Sequence, residues 1–358
     1  MELNTASILS QSNITGPAFL VKDGIIVEAN PAAIQHQFTA GVSIESVILI
    51  GLEDYRSYKS GKLYLQLGFG EYSFGAYITK VQDLHLFCLE SDYEDNSLRL
   101  MALLSQHLRE PLGSAMLNTE LLQQDSALMS NPALKKQLGQ INRALHQLTR
   151  TVCNMSDAAD CRTTLSHMET QDIVAVLDEF FPEVAQRVRE SGRELCVSTL
   201  RKSVVCPIDT DLLKRAVLNL VANSIRFSPE GSAISIKLQH SNHTLRITIE
   251  NHSLANNAPL MPDPFRRFLR EPGIEESRYG VGLGMTLVRQ AAIKHGGTLL
   301  FDSSKKDNVK VIMTIDTDRK EQPILRSPLQ VVGGYAGGLD TLLIELSDVL
   351  PDSAYESF

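Results

Sequence analysis

Two stretches of this chain carry apolar and small residues in an unbroken alternation of three and four. In residues 96–126 the series is Leu98, Met101, Ser105, Leu108, Leu112, Ala115, Thr119 and Leu122. In residues 132–160 it is Leu134, Leu138, Ile141, Leu145, Leu148, Val152, Met155 and Ala159. This spacing holds one narrow stripe on one side of a helix, the seam of helices packed in a left-handed bundle. Asp125 to Pro132, with Ser130-Asn131-Pro132 inside it, breaks the period and supplies a turn. Two helices with one stripe each make too small a core to stand alone. A second copy of the chain is therefore expected to complete a four-helix bundle.

The rest of the chain is long enough for more than this hairpin. A length of 358 residues allows two or three domains, and 43% hydrophobic with 21% charged residues excludes a disordered chain. The net charge of −8 argues against nucleic acid as a partner. No apolar run approaches the ~20 residues that span a bilayer. The start, MELNTASILSQSN, has no basic region before an apolar one and does not read as a signal peptide. Cys88, Cys153, Cys161, Cys196 and Cys206 show no CxxC spacing, which favours free thiols and a reducing, cytoplasmic location.

Four segments follow from these changes of period. Residues 1–95 read as mixed α/β: PAFLVKDGIIVEANPAA holds two short apolar runs across Lys22-Asp23-Gly24, a hairpin signal, and LYLQLGF, YSFGAYIT and LHLFCLE have strand length. Residues 96–165 are the helical hairpin. Residues 166–318 form one α/β unit. It has a helix at roughly 171–191, the strand ELCVSTL, a second helix after Asp209–Asp211, the hairpin SAISIKL and TLRITIE over Gln239–His243, and a last strand VKVIMTI. Residues 319–358 begin as a polar linker and end in DTLLIELSDVL, a short helix with Leu342, Leu343, Leu346 and Leu350 on one face, expected to dock on a neighbouring surface. The fold class is α+β, multi-domain.

Within the third segment, DLLKRAVLNLVANSIRFSPEG (residues 211–231) carries the chemistry. Leu213, Val217, Leu220 and Ile225 mark a buried face, and Asn219 and Asn223 lie four apart on one side. Two neutral amides one turn apart can hold a hydrated metal and a phosphate without adding charge. Arg226 follows within reach of the same phosphate, and Ser228, Pro229 and Gly231 stop the helix. An ordinary amphipathic helix with a polar wet side has the same pattern. Further on, Gly280, Gly282 and Gly284 let backbone N–H groups approach a polyphosphate, beside a helix Met285–Lys294. A dinucleotide fingerprint fails there, because its third glycine would be Met285 and the residues ahead of Gly280 are Glu275-Glu276-Ser277-Arg278 rather than a strand.

Taken in order, NLVANSIRFSP, PDPFRRF (residues 262–268) and GVGLGM…HGG resemble the GHKL-type ATP-binding domain shared by histidine kinases, gyrase, chaperone and mismatch-repair ATPases. The heptad helices upstream are similar to those of the sensor histidine kinase branch. Residues 1–95, with Asn30–Ala33 as an Asn-Pro-Ala-Ala step, resemble a PAS-type sensor domain. The resemblance implies ATP and Mg²⁺ as ligands. Asn219 and Asn223 would face metal and phosphates, with Asn223 as the Mg²⁺ ligand. Arg226 would be a phosphate contact, and Gly280, Gly282 and Gly284 would form the phosphate loop. It also implies a homodimer that signals to a response regulator.

Two motifs depart from the family. SQHLREPLGSAMLNTELL resembles the H-box around Pro111, but its register puts Gln106 where the family keeps its phosphoacceptor histidine, and His107 where it keeps an acid. An amide is no nucleophile at neutral pH, so the expected protein is a histidine-kinase-like signalling protein with no acceptor in the family's position. The alternative is an active kinase using His107, which requires a rotation of about 100° at that point of the helix. In IENHSLANNAP, Asn251 stands where the family's adenine-binding Asp belongs, and two glycines after it are missing, which predicts weakened nucleotide binding. His295 reads as a helix cap, and His240, His243 and His252 as turn residues.

Overall fold

The computed structural model describes residues 16–70, 72–90, 95–159, 168–200, 202–253, 283–305, 307–319 and 340–356, with residues 9 and 14. Its first hairpin pairs β1 (Ala18–Lys22) with β2 (Ile25–Ala29), turning through Asp23 and Gly24 at φ 49° and 79°. Asn30 then caps α1 (Pro31–Gln35): its Oδ1 accepts from Ala33 N at 2.9 Å and from Ala18 N at 3.0 Å, tying the helix to the strand it follows. After β3 (Ile48–Ile50) and α2 (Leu52–Ser57) come β4 (Lys62–Phe69), β5 (Tyr72–Val81) and β6 (Leu84–Leu89). The order is β2-β1-β6-β5-β4, with β3 on β4. Phe19, Phe38, Leu65, Ile78 and Phe87 fill the core under α1 and α2.

The heptad stretches are α3 (Asp95–Gln123) and α5 (Pro132–Ala159), joined through the short α4 (Ser126–Met129). The helix runs on through Pro111. Ser105, Met116 and Thr119 of α3 and Leu138, Val152 and Cys153 of α5 are buried. Leu108, Leu122, Leu134, Ile141 and Leu148 are exposed, so part of the expected seam faces outward in a single chain. A second face of α5 is also buried, and it is polar: Asn142, His146 and Arg150 at steps of four.

Next come β7 (Glu169–Asp172), α6 (Ile173–Glu190), β8 (Glu194–Ser198), β9 (Val205–Ile208) and α7 (Thr210–Phe227). They are followed by β10 (Ala233–Ser241), β11 (Thr244–His252), α8 (Gly284–Lys294), β12 (Leu299–Asp302) and β13 (Asn308–Asp316). The sheet order is β12-β13-β11-β10-β8, while β7 and β9 pair apart. Strands β10 and β11 extend to a two-residue turn at Asn242 and His243, both at positive φ. His240 and His252, expected on turns, are therefore strand residues; only His243 sits on the turn. The longer ladder wins because every extra pair satisfies backbone groups that a loop would leave to water.

Two attachments complete the structure. Strand β12 pairs antiparallel with β4, Leu299 opposite Tyr64, so one sheet runs from the N-terminal unit through the α/β unit. At the other end, α9 (Thr341–Glu345), capped by Asp340, and a 3-10 turn at Asp352–Tyr355 pack on α5 and α7. Leu342, Leu343, Leu346 and Leu350 are buried there, as their shared face required.

Candidate functional site

Helix α7 owes its placement to its sequence. Asp209 caps it, its Oδ1 accepting from Leu212 N at 3.1 Å. Leu213, Ala216, Val217, Leu220 and Val221 bind its inner face into the core. What remains for the other side is Asn219, Asn223 and Arg226. Asn219 is 1% exposed, while Asn223 and Arg226 are half-buried. The N-terminal end of α8 lies against them: Asn223 Nδ2 reaches Met285 Sδ at 3.5 Å, and a Cβ on Gly284 would come within 2.5 Å of Asn219 Oδ1. Gly284 is thus needed for close approach. It opens the helix one residue earlier than expected. Gly280, Gly282 and the Pro262–Phe268 stretch lie outside the described residues.

The site is strongly ionic. Glu345, fully buried, accepts from Arg150 Nε at 3.2 Å and Arg215 Nε at 3.1 Å, and from Asn219 Nδ2 at 2.9 Å. Asn219 Oδ1 in turn accepts from Arg150 Nη2 at 2.9 Å. Asp348 bridges Arg150 Nη1 and Arg226 Nη2, both at 2.7 Å. Arg215 also pairs with Asp157. Burial pushes the Arg226 guanidinium below its ordinary value, against the pull of Asp348. Farther out, Arg143 donates to Asp352 at 2.9 Å and holds that carboxyl below the usual carboxylate range. A cavity of about 820 Å³, lined by Arg143, Arg193, Arg226, Glu230, Asp348 and Asp352 among others, opens beside this network.

Asn251 stands at the end of β11, opposite Ile234 and Val309. Its Nδ2 donates to Ser228 Oγ at 3.0 Å and to the His252 carbonyl at 3.1 Å. A carbonyl can only accept, so these partners fix the amide's orientation. An aspartate there would set a carboxylate against the His252 carbonyl, so Asn suits this corner for a local reason.

Gln106 and His107 are both exposed on α3. Neither shares a hydrogen bond or ion pair with the Asn219 cluster among the described residues. Their neighbour Arg109 reaches across to Ser156 Oγ of α5 at 3.0 Å. His295 is the C-cap of α8, as expected. Its Nδ1–H donates to the Ala291 carbonyl at 2.6 Å and its Nε2 accepts from Asp209 N at 3.0 Å, so the ring is neutral and ties the end of α8 to the cap of α7. Burial lowers its pKa. Cys196 and Cys206 are free thiols, and no cluster of potential metal ligands occurs among the described residues. No helix there is long and apolar enough to cross a membrane.

The family model described as histidine kinase-, DNA gyrase B-, and HSP90-like ATPase matches residues 208–319, from the cap of α7 to beyond β13. The sensor histidine kinase CusS of Escherichia coli O6:H1 is 25% identical over 255 residues, 67% of this chain and 48% of its own. The sensor protein QseC of Salmonella typhimurium is 26% identical over 219 residues, 59% of this chain and 45% of its own. Residues 208–319 thus carry a histidine kinase-, DNA gyrase B- and HSP90-like ATPase domain, and the chain is similar to sensor histidine kinases. It spans about half the length of these relatives. Among solved structures, full-length ShkA in complex with AMPPNP is similar over 63% of this chain and 47% of that one, with 17% identity and a TM-score of 0.47.

For a sensor histidine kinase homologue, the surprise lies in what surrounds the asparagine helix. Arg150, Arg215, Glu345 and Asp348 were not singled out from the sequence. Two signals were there to find. Asn142, His146 and Arg150 form a polar stripe on a helix that needs only one apolar seam. Glu345, Asp348 and Asp352 step by three and four along an otherwise apolar tail. Arg150 of the first stripe takes Glu345 and Asp348 of the second, while Asp352 is held by Arg143 and Gln140 beside that stripe.

Proposed function

We propose that this chain is a nucleotide-binding, histidine-kinase-like signal-transduction protein of a two-component-type system. In this reading residues 1–95 are a PAS-like sensor, residues 96–165 a dimerisation hairpin, residues 166–318 the ATP-binding domain and residues 319–358 a linker and tail. The observation that carries it is the donor set on α7, inside the stretch that matches the ATPase family: Asn219 and Arg226 already hold carboxylates, which stand in for the anionic oxygens of a phosphate chain. The residues therefore fit a polyphosphate. Mg²⁺, bound beside them, would neutralise phosphate charge, with the Asn223 amide oxygen as its protein ligand. Asn251 offers the adenine an uncharged acceptor, so affinity for the base is reduced.

The exposed leucines of α3 and α5 support a homodimer, since an apolar stripe of this length on a lone hairpin asks for a partner. Signalling to a response regulator is what the likeness to sensor histidine kinases suggests. Gln106 occupies the acceptor's place and is no nucleophile, so contact through the bundle, rather than phosphate on it, carries the output.

The test is labelled MgATP, with binding and acid-labile phosphate measured on one purified sample. The expected result is weak binding, abolished by Asn223→Ala, and no phosphohistidine. Gln106→His combined with His107→Glu should gain acid-labile label. Strong labelling of the parent chain that disappears in His107→Ala would show an active kinase instead.

A further inference from the structure

We infer that residues 340–356 are a built-in plug of the nucleotide site, and that the tail and the phosphates of a nucleotide are alternative ligands of Asn219 and Arg226. The inference rests on the nucleotide-binding reading above and adds its regulation.

Both donor hydrogens of the Asn219 amide are taken. Its Nδ2 has two hydrogens, one given to the Arg215 carbonyl at 3.0 Å and one to Glu345 at 2.9 Å. Its Oδ1 takes Arg150 Nη2. A phosphate oxygen that is to accept from this amide has to displace Glu345. Arg226 is engaged in the same way, by Asp348. Both carboxylates come from one short segment, three residues apart.

Charge explains why the segment is acidic at these positions. Arg150 is 7% exposed and Arg215 is 5% exposed. Buried guanidiniums without counter-charge are costly. Among the described residues, Arg150 and Arg226 have carboxylate partners only from the tail, and Arg215 has Asp157 besides. Withdrawing the tail would leave a cleft with cations facing Asn219. An anionic polyphosphate is the chemistry that such a cleft takes. The tail is held by more than charge: Leu346 and Leu350 are buried, and Tyr355 donates to the Leu343 carbonyl at 2.7 Å and stacks edge-on against His146. It is therefore a stable occupant that a competing ligand has to work against.

The experiment measures MgATP affinity by calorimetry in the full chain, in Asp348→Asn and in Glu345→Gln with Asp348→Asn. Hydrogen exchange of residues 340–356 is followed in each, with and without nucleotide. Asp348→Asn is the mild variant, since Asp348 is partly exposed and Glu345 keeps its partners. The expected result is tighter binding, roughly tenfold for Asp348→Asn and more for the double variant. The tail amides of the parent chain should also lose protection when MgATP saturates. If the variants bind MgATP no more tightly than the parent, or if the tail stays protected at saturation, the plug is overturned while the nucleotide reading stands. A double variant whose tail exchanges freely but which still binds no MgATP overturns the nucleotide reading, and the competition with it.

Discussion

The α/β unit is covered at two places by other parts of the chain, and the two attachments are built differently. On the β12 edge, β4 continues the sheet through backbone pairing at Tyr64, Leu63 and Lys62. Side chains add to it: Arg289 of α8 lies over the rings of Tyr64 and Tyr77, at 5.1 and 5.6 Å, and pairs with Glu90 at 2.7 Å, while Asp54 accepts from Thr298 Oγ1 at 2.6 Å and from Thr314 Oγ1 at 3.2 Å. On the α7 face, the tail has no strand to join and is held by buried ion pairs over an apolar face. A sheet edge depends on backbone groups that every residue carries. Ion pairs depend on particular side chains, which makes the second attachment the one that a charge change, or a charged ligand, can undo.

The largest effect that separates them is expected from Arg150→Met. It strips Glu345 and Asp348 of a shared cation inside the protein, and the cost should be about 3 kcal/mol in denaturant unfolding. Amide protection should vanish in residues 340–356 and persist in β4 and β12. The matching change on the other side, Arg289→Met, keeps a long apolar side chain in place and leaves the backbone ladder whole. A loss of about 1–2 kcal/mol is expected, with β4 and β12 still protected. If Arg289→Met opens that edge as completely as Arg150→Met frees the tail, the two attachments do not differ in kind.

Acid sharpens the comparison next. His295 is held neutral between Ala291 and Asp209, and burial puts its pKa below the ordinary 6.5. The unfolded chain therefore takes up the proton first. Stability is full above about pH 6.5 and declines as pH falls toward the folded value. His146, under the tail, and His85, in the N-terminal unit, are lowered by burial in the same direction. The melting temperature at pH 5.5 should lie below that at pH 7.5, and His295→Gln should make the dependence shallower. An unchanged slope in that variant would assign the effect elsewhere.

The smallest effect concerns the adenine corner. Asn251→Asp loses the donor to the His252 carbonyl, and stability should fall by about 1 kcal/mol. Its nucleotide affinity should nevertheless rise, because a charged acceptor replaces a neutral one. Weaker binding together with lower stability would count against placing adenine at this residue.

Much of the fold was legible in the residue order. The three-and-four steps of residues 98–159 specify two helices, the caps at Asn30, Asp209 and Asp340 specify where three others begin, and the alternating runs specify the strands. The asparagine pair was legible because both amides sit on one helix, four residues apart. His240 and His252 were misjudged as turn residues because the length of a ladder is decided by its partner strand, not by the residues at its end.

The sequence by itself determined every feature whose cause lies within a few residues: helix periods, caps, turns, and the absence of a histidine at position 106. Only the tertiary structure decided which charges meet. Glu345 lies 126 residues from Asn219 and 195 from Arg150, and its value to the protein exists only when both surround it. A carboxylate has no direction along the chain, and a periodicity points only to a face. What that face covers is settled by packing.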